Sequence, residues 1–278
     1  MSEFKIKVTQ ENVSYFIYYF QAQEIIGENN YKKIHNAASV IKVLIMCAMM
    51  NKLIEDDKQV DEIIYLKKGF KQLAKRESDI FYNKNIDYKV SINELLSWMI
   101  KISENTCTDV LIDYLGFDYI NDYANKVGMK NTRLNRYMTD STTCIDTYVN
   151  EKENFTTLED TFLIFSKIFK KEILNENMCN YAKQILFDQR LNAKLPRFIF
   201  ENIQFAHKTG GLSIGISVCN DAGVFVINDK LYFTGIFIEN HDFTNANLIC
   251  IGEIGKEIYI FLKSLSKQTI NTKKERKQ

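Results

Sequence analysis

The sequence predicts an α/β fold of the α+β kind: an antiparallel sheet flanked by helices, with an all-helical subdomain inserted into it. Three observations carry this expectation. Ala38 to about Glu55 is rich in Leu, Ile, Met, Ala and Cys with almost no breaker, as a buried helix requires. After the only proline, Pro196, the texture changes to short β-branched and aromatic segments. Strand-like segments also open the chain, so both ends feed one sheet. The expected division is 1–35 plus 185–278 for the sheet subdomain and 36–184 for the helical one.

Taken in order, Phe4-Lys-Ile-Lys-Val8 alternates as a strand does, and Val13 to Phe20 suits either a strand or a helix. The helix from Ala38 carries Ser39 at or near its N-terminus. Ser91-Ile-Asn-Glu94 fits a capping box, in which the Ser and Glu side chains satisfy each other's free backbone amides before the apolar run Leu95 to Ile100. A further amphipathic stretch runs from about Asn105 to Leu115 and stops at Gly116, a residue that tolerates the backbone of a helix end. Another occupies about Thr157 to Ile173. Gly215–Val218, Gly223–Ile227 and Leu231–Ile238 read as antiparallel strands separated by Asn-Asp turns, and an amphipathic helix over about Gly252–Lys267 closes the chain.

Composition excludes several classes of partner. Thirty-six basic and 35 acidic side chains leave a net charge of +1, which offers no electrostatic case for nucleic acid or an anionic membrane. The basic residues Lys273, Lys274, Arg276 and Lys277 suit a solvated terminus. The longest apolar run, Val43 to Met50, is too short to span a bilayer. The six cysteines form no C-x-x-C pair and do not cluster with His35, His207 or His241, so no metal or other cofactor is expected. Met1 to Gln10 lacks the basic start and apolar run of a signal peptide, which leads to an expectation of reduced thiols and a cytoplasmic location.

Three short patterns follow one another: Ser39-Val-Ile-Lys42, Ser103-Glu104-Asn105 and Lys208-Thr209-Gly210-Gly211. Singly, each suits a structural role: a helix cap, a helix start, a turn before a strand. Ser264-Leu-Ser-Lys267 also satisfies S-x-x-K, with no second or third pattern after it, and reads as a solvated helix face. The first copy differs in opening a helix and in being followed by the other two. Residues three apart share a helix face, so Lys42 can present its amine to the Ser39 hydroxyl. A serine hydroxyl needs a neighbouring base, and a lysine serves only if burial or a second cation, here Lys208, lowers its pKa.

Together with the flanks His35-Asn-Ala-Ala-Ser39, Ile102 to Gly116 and Val127 to Leu134, these patterns resemble the active-site serine penicillin-recognising family, in particular its class A β-lactamase branch. The resemblance covers most of the chain and is weakest between about Lys52 and Lys89. It implies a β-lactamase/transpeptidase-like fold with the active site between the two subdomains, and an acyl-enzyme formed at Ser39 with a β-lactam, amide or ester carbonyl. It further implies that Ser103 relays a proton to the leaving group and that Asn105 hydrogen-bonds Lys42 and the substrate amide. Lys208, Thr209, Gly210 and Gly211 would bind a small-molecule or peptide substrate carrying a carboxylate. The backbone amides of Ser39 and Gly211 would form the oxyanion hole.

The chain departs from that family in two places. The run Leu134-Asn-Arg136-Tyr-Met138-Thr-Asp-Ser-Thr142 puts Met138 where the family has its deacylating glutamate and Thr142 where it has an asparagine. A thioether cannot take a proton from water, so β-lactam hydrolysis is expected to be slow. Asp140, Glu151 and Glu153 are nearby carboxylates, read as solvated loop charges. No arginine follows Lys208 until Arg276, which leaves Lys208, Thr209 and Ser103 to bind a carboxylate. His207, with no evident acid partner, is assigned to packing. The alternatives are a covalent penicillin-binding sensor that does not turn over and a cytoplasmic esterase or amidase. A serine–lysine glutaminase would not require Lys208-Thr-Gly on a strand.

Overall fold

The computed structural model describes residues 3–5, 13–65, 80, 89–139, 153–212, 217–240 and 246–275. Its principal sheet contains β1 (Val13–Tyr19), β2 (Glu24–Asn29), β7 (Gln204–Leu212), β8 (Ser217–Ile227) and β9 (Lys230–Asn240). Their order is β2-β1-β9-β8-β7, antiparallel throughout. β1 pairs with β9 from Val13↔Ile238 to Tyr19↔Tyr232, which joins the two ends of the chain in one sheet as expected. Between them run two-residue β3 (His35–Asn36) and β6 (Phe155–Thr156), paired with each other, and the short pair β4 (Ile63–Tyr65) and β5 (Lys89–Ser91).

The strands alternate between two cores. On β9, Phe233 and Phe237 face a core shared with α1 (Lys42–Glu55), α2 (Ile92–Lys101), α3 (Asn105–Leu115), α4 (Phe117–Val127), α5 (Leu158–Lys170) and α6 (Glu176–Phe187). Tyr232, Ile236 and Ile238 face the other side, which α7 (Ala246–Glu275) covers. The covering stripe is Ile251, Ile254, Ile258 and Leu262, at helical spacing of three and four. Ile258 and Leu262 are fully buried, and burial of each contributes about 1.5–3 kcal/mol.

Local chemistry explains the element ends. Ser91 caps α2 as predicted, its Oγ accepting from Glu94 N at 3.2 Å while Glu94 Oε2 accepts from Ser91 N at 2.9 Å. The turn between β8 and β9 places Asn228 and Asp229 at φ 50° and 58°, the left-handed pair that a two-residue hairpin requires and that these two residue types tolerate best. α1 is buried from Lys42 to Met50 and forms the centre of the helical layer.

Four expectations need correction. Gly215–Val218 and Gly223–Ile227, expected as two strands split by an Asn-Asp turn, are not separate: β8 runs unbroken from Ser217 to Ile227, and Asn220 and Asp221 pair with Gly210 and Thr209 inside it. The helix starting at Ala38 begins as a 3-10 turn, Ala38–Ile41, and becomes α-helical only at Lys42. The closing helix starts at Ala246, six residues before Gly252, because Asn247 is buried and hydrogen-bonded to Ser217 and Asn240. α4 and α6 were not anticipated as elements. Of the opening segment, Phe4 donates its amide to Ile26 O at 2.7 Å, beside the sheet, while residues 6–8 lie outside the described residues.

Candidate active site

The 3-10 turn puts Ser39 and Lys42 on the same face, since residues three apart eclipse in that geometry. Ala38, just before the serine, takes φ 42°, a left-handed conformation uncommon for a residue with a Cβ. Edge strand β7 lies directly against this turn. A Cβ at Gly210 would stand 3.0 Å from Val40 Cγ2, 3.1 Å from Ala37 O and 3.2 Å from Ser39 N, so a glycine lets the strand approach without pushing the turn back by a few tenths of an ångström.

Ser39, Asn105, Gly211 and Met138 line one cleft, together with Asn36, Arg136, Glu153 and Asn154. Lys42, fully buried, donates to Ser103 O at 2.7 Å, Ser103 Oγ at 3.2 Å and Asn105 Oδ1 at 2.7 Å. Lys208, also fully buried, donates to the same Ser103 Oγ at 3.0 Å and to Thr209 O at 2.8 Å. All eight predicted site residues therefore belong to one constellation. Ser103 itself has φ 60°, a strained backbone that lets both its carbonyl and its hydroxyl meet Lys42.

Burial lowers Lys42 to about 8, against partial compensation from Asp109 and Glu104. The effect of paired cations falls instead on Lys208, which burial, Lys42 and Lys194 together push well below the ordinary lysine range. Lys194 was not foreseen. It lies in the loop before β7, and its Nζ donates to Gly210 O and, at 3.2 Å, to Asn220 O. A third lysine thus reaches the strand that was expected to bind a carboxylate with no arginine to help.

Met138 does occupy the cleft wall. Asp109, fully buried on α3, fixes it there: Met138 N donates to Oδ1 at 2.7 Å, and Thr139 N and Oγ1 donate to Oδ2 at 3.1 and 2.6 Å. Asn154 Nδ2 approaches the Met138 sulfur at 3.6 Å. Glu153 is ion-paired with Arg136 at 3.1 Å and accepts from Asn36 Nδ2 at 3.2 Å. Asp140, Thr142 and Glu151 lie outside the described residues.

His207 does have an acid partner, contrary to expectation: Nδ1 is 2.8 Å from Asp221 Oδ1, and Nε2 is 3.1 Å from Asn192 Oδ1. The hairpin register supplies Asp221, which stands opposite Thr209 two residues along the same face. His207 stacks on Phe205 at 4.3 Å in the α7-side core, whereas its neighbour Lys208 reaches Ser103. It packs and pairs there, away from the serine. Ser264 and Lys267 of the second S-x-x-K are exposed on α7.

Among the described residues, no group of three or more His, Cys, Asp or Glu could hold a metal ion, and no helix is long and apolar enough to cross a membrane. The family model described as the beta-lactamase enzyme family matches residues 4–262. A β-lactamase of Bacteroides uniformis is 22% identical over 236 residues, covering 80% of this chain and 77% of that protein. Among solved structures, a class A β-lactamase from Bacteroides cellulosilyticus superposes with TM-score 0.77 at 23% identity, covering 91% of this chain and 92% of its own. PBP-A, solved alone and as a variant in an acyl-enzyme complex with penicillin G, superposes with TM-score 0.78 at 22% identity over 92% of each chain.

Proposed function

The chain belongs to the beta-lactamase enzyme family, a class A β-lactamase-like serine hydrolase, and on that footing we propose that Ser39 is acylated by a β-lactam or related carbonyl through a serine–lysine mechanism. One observation carries the reading: Ser103 Oγ accepts from both Lys42 and Lys208. A hydroxyl has two acceptor lone pairs and one proton, so with both lone pairs occupied its proton is left to donate.

In the reaction, neutral Lys42 keeps its two 2.7 Å hydrogen bonds, to Ser103 O and Asn105 Oδ1, and gives up the longer one. Its lone pair takes the Ser39 proton as Oγ attacks the carbonyl carbon. The new C–O bond forms and the substrate C–N bond breaks. Ser103 passes its own proton to the leaving nitrogen and is reprotonated by Lys42. The backbone amides of Ser39 and Gly211 face the developing oxyanion. Lys208, Thr209 and Lys194 hold the substrate carboxylate, Lys194 taking the place of an arginine.

Hydrolysis of the adduct is slow, because Met138 cannot activate water and Glu153 is held by Arg136 and Asn36. The same features favour a second reading, a penicillin-binding protein that is acylated without turning over. The structural likeness to PBP-A, a variant of which carries penicillin G as an acyl-enzyme, supports both.

The test is incubation with a fluorescent penicillin and a chromogenic cephalosporin, followed by intact mass and by turnover, with Ser39→Ala as control. A persistent adduct absent from Ser39→Ala, and shortened at least ~100-fold in lifetime by Met138→Glu, is expected. Rapid turnover by the wild-type protein would overturn the role given to Met138. No adduct with either β-lactam would turn the search to esters and amides.

A further inference from the structure

The segment before the nucleophile is held by side chains that the mechanism does not use. Asn36, the last residue of β3, makes contacts in three directions. Its Oδ1 accepts from Ala38 N at 2.9 Å, closing a turn around Ala37 that ends at the amide of the residue whose φ is 42°. Its Nδ2 donates to Glu153 Oε2 at 3.2 Å, and that oxygen also accepts from Arg136 Nε at 3.1 Å. Its backbone carbonyl accepts from the buried Asn220 Nδ2 at 2.9 Å. Next to it, Ala37 N donates to Asn154 O at 2.9 Å, and the Asn154 side chain accepts from Asn135 N and Arg136 N at 2.7 and 3.0 Å.

The other end of β3 is anchored in the sheet. His35, buried to 2% exposure, lies between Ser14 Oγ at 2.8 Å from Nε2 and Glu239 Oε2 at 3.1 Å from Nδ1. A proton on Nδ1 facing the carboxylate leaves Nε2 to accept from the Ser14 hydroxyl. The order serine–histidine–carboxylate looks like a hydrolytic triad, but Ser14 is 1% exposed and cannot meet a substrate. Its work is mechanical: it ties β1 and β9 to the residue preceding Asn36.

We propose that Asn36 is a positioning residue that sets the Ser39 turn and couples it to the segment bearing Arg136 and Met138, with His35, Ser14 and Glu239 as its fixed mount. The two ends of its amide have separate duties. The oxygen holds the strained turn that aims the Ser39 hydroxyl and amide, and the nitrogen holds the loop through Glu153. Asn36 does not take part in bond making; it acts through Ser39. The proposal rests on the reading of Ser39 as nucleophile only for its kinetic consequence.

Asn36→Ala and Asn36→Asp separate the two duties, the aspartate being made in a Glu153→Ala background so that it does not face a second carboxylate at 3.2 Å; it then keeps an acceptor for Ala38 N and has no donor for the loop. The second-order rate of acylation by fluorescent penicillin is expected to fall about 10- to 100-fold in Asn36→Ala and to return to within about threefold of wild type in Asn36→Asp. Amide hydrogen exchange should quicken at Ala38 in Asn36→Ala alone, and at Arg136 in both variants, while Met138, held by Asp109, stays protected; thermal midpoints report that both remain folded. Wild-type acylation by folded Asn36→Ala, or failure of folded Asn36→Asp to restore it, would overturn the positioning role. If the wild-type protein forms no adduct at all, the proposed function fails, while the exchange pattern still decides the proposal: unchanged exchange at Ala38 in Asn36→Ala would end it.

Discussion

Lys42 spends all three of its ammonium protons on Ser103 O, Ser103 Oγ and Asn105 Oδ1, so a protonated Lys42 has nothing to offer Ser39. Base catalysis begins when one proton leaves, and burial brings that event to about pH 8. The rate of acylation is expected to rise with pH through about 8, because the neutral amine is the active form. Lys42→Met should remove this limb and lower the rate by about 10²–10⁴. Rates of adduct formation measured from pH 6 to 9.5 check both; a flat wild-type profile would place the base elsewhere. The serine, the lysine and their spacing were readable in the sequence. The positive φ values at Ala38 and Ser103 were not, since neither is a glycine. The Asn36 side chain on Ala38 N and the two contacts of Ser103 with Lys42 accompany them in the folded site.

Among the elements, β7 and the 3-10 turn form the most demanding contact. Gly210→Ala would bring a methyl within about 3 Å of Val40, the Ala37 carbonyl and the Ser39 amide, two of them backbone that cannot swing aside. The expected result is a loss of roughly 1–3 kcal/mol in stability and a larger loss of acylation, as the edge strand backs away from the serine. Thermal unfolding beside acylation rate tests it; normal acylation by the variant would mean that the strand need not touch the turn. Most elements were legible: the Ser91 capping box, the end of α3 at Gly116 and the Asn-Asp hairpin each have local chemistry that names them. α6 has such a signal too, Asn175 Oδ1 accepting from Met178 N at 2.9 Å, and was nonetheless missed. α4 starts at Phe117 behind Gly116, which offers no side-chain cap, so its onset is set by packing rather than by a local cue.

For the molecule as a whole, buried charges determine how stability responds to pH. Asp109 is fully buried and its pKa is raised to about 6, chiefly by burial and against the hydrogen bonds from Thr139 and Met138. An acid whose folded pKa is raised contributes stability that is complete below its unfolded pKa, 3.8, and lost as pH rises through about 6. The loss is on the order of 3 kcal/mol. Asp109→Asn should therefore flatten the pH dependence of stability between about 4 and 6.5 relative to wild type. Denaturant midpoints across that range check it, and parallel curves for the two proteins would refute it.

Fold class and the sheet built from both chain ends were legible in the sequence, and so was the expectation that Ser39, Lys42, Ser103, Asn105 and Lys208 to Gly211 meet. Each local pattern alone suits a structural role; it is their order along one chain that makes the grouping readable. What the linear text could not supply were partners distant along the chain whose meeting depends on register and loop path. Asp221 reaches His207 across a hairpin, Lys194 reaches Gly210 from a loop, and Asn36 meets Glu153 across 117 residues. Periodicity tells which face a side chain shares with its own neighbours; which distant residue it meets there is set by how the layers pack.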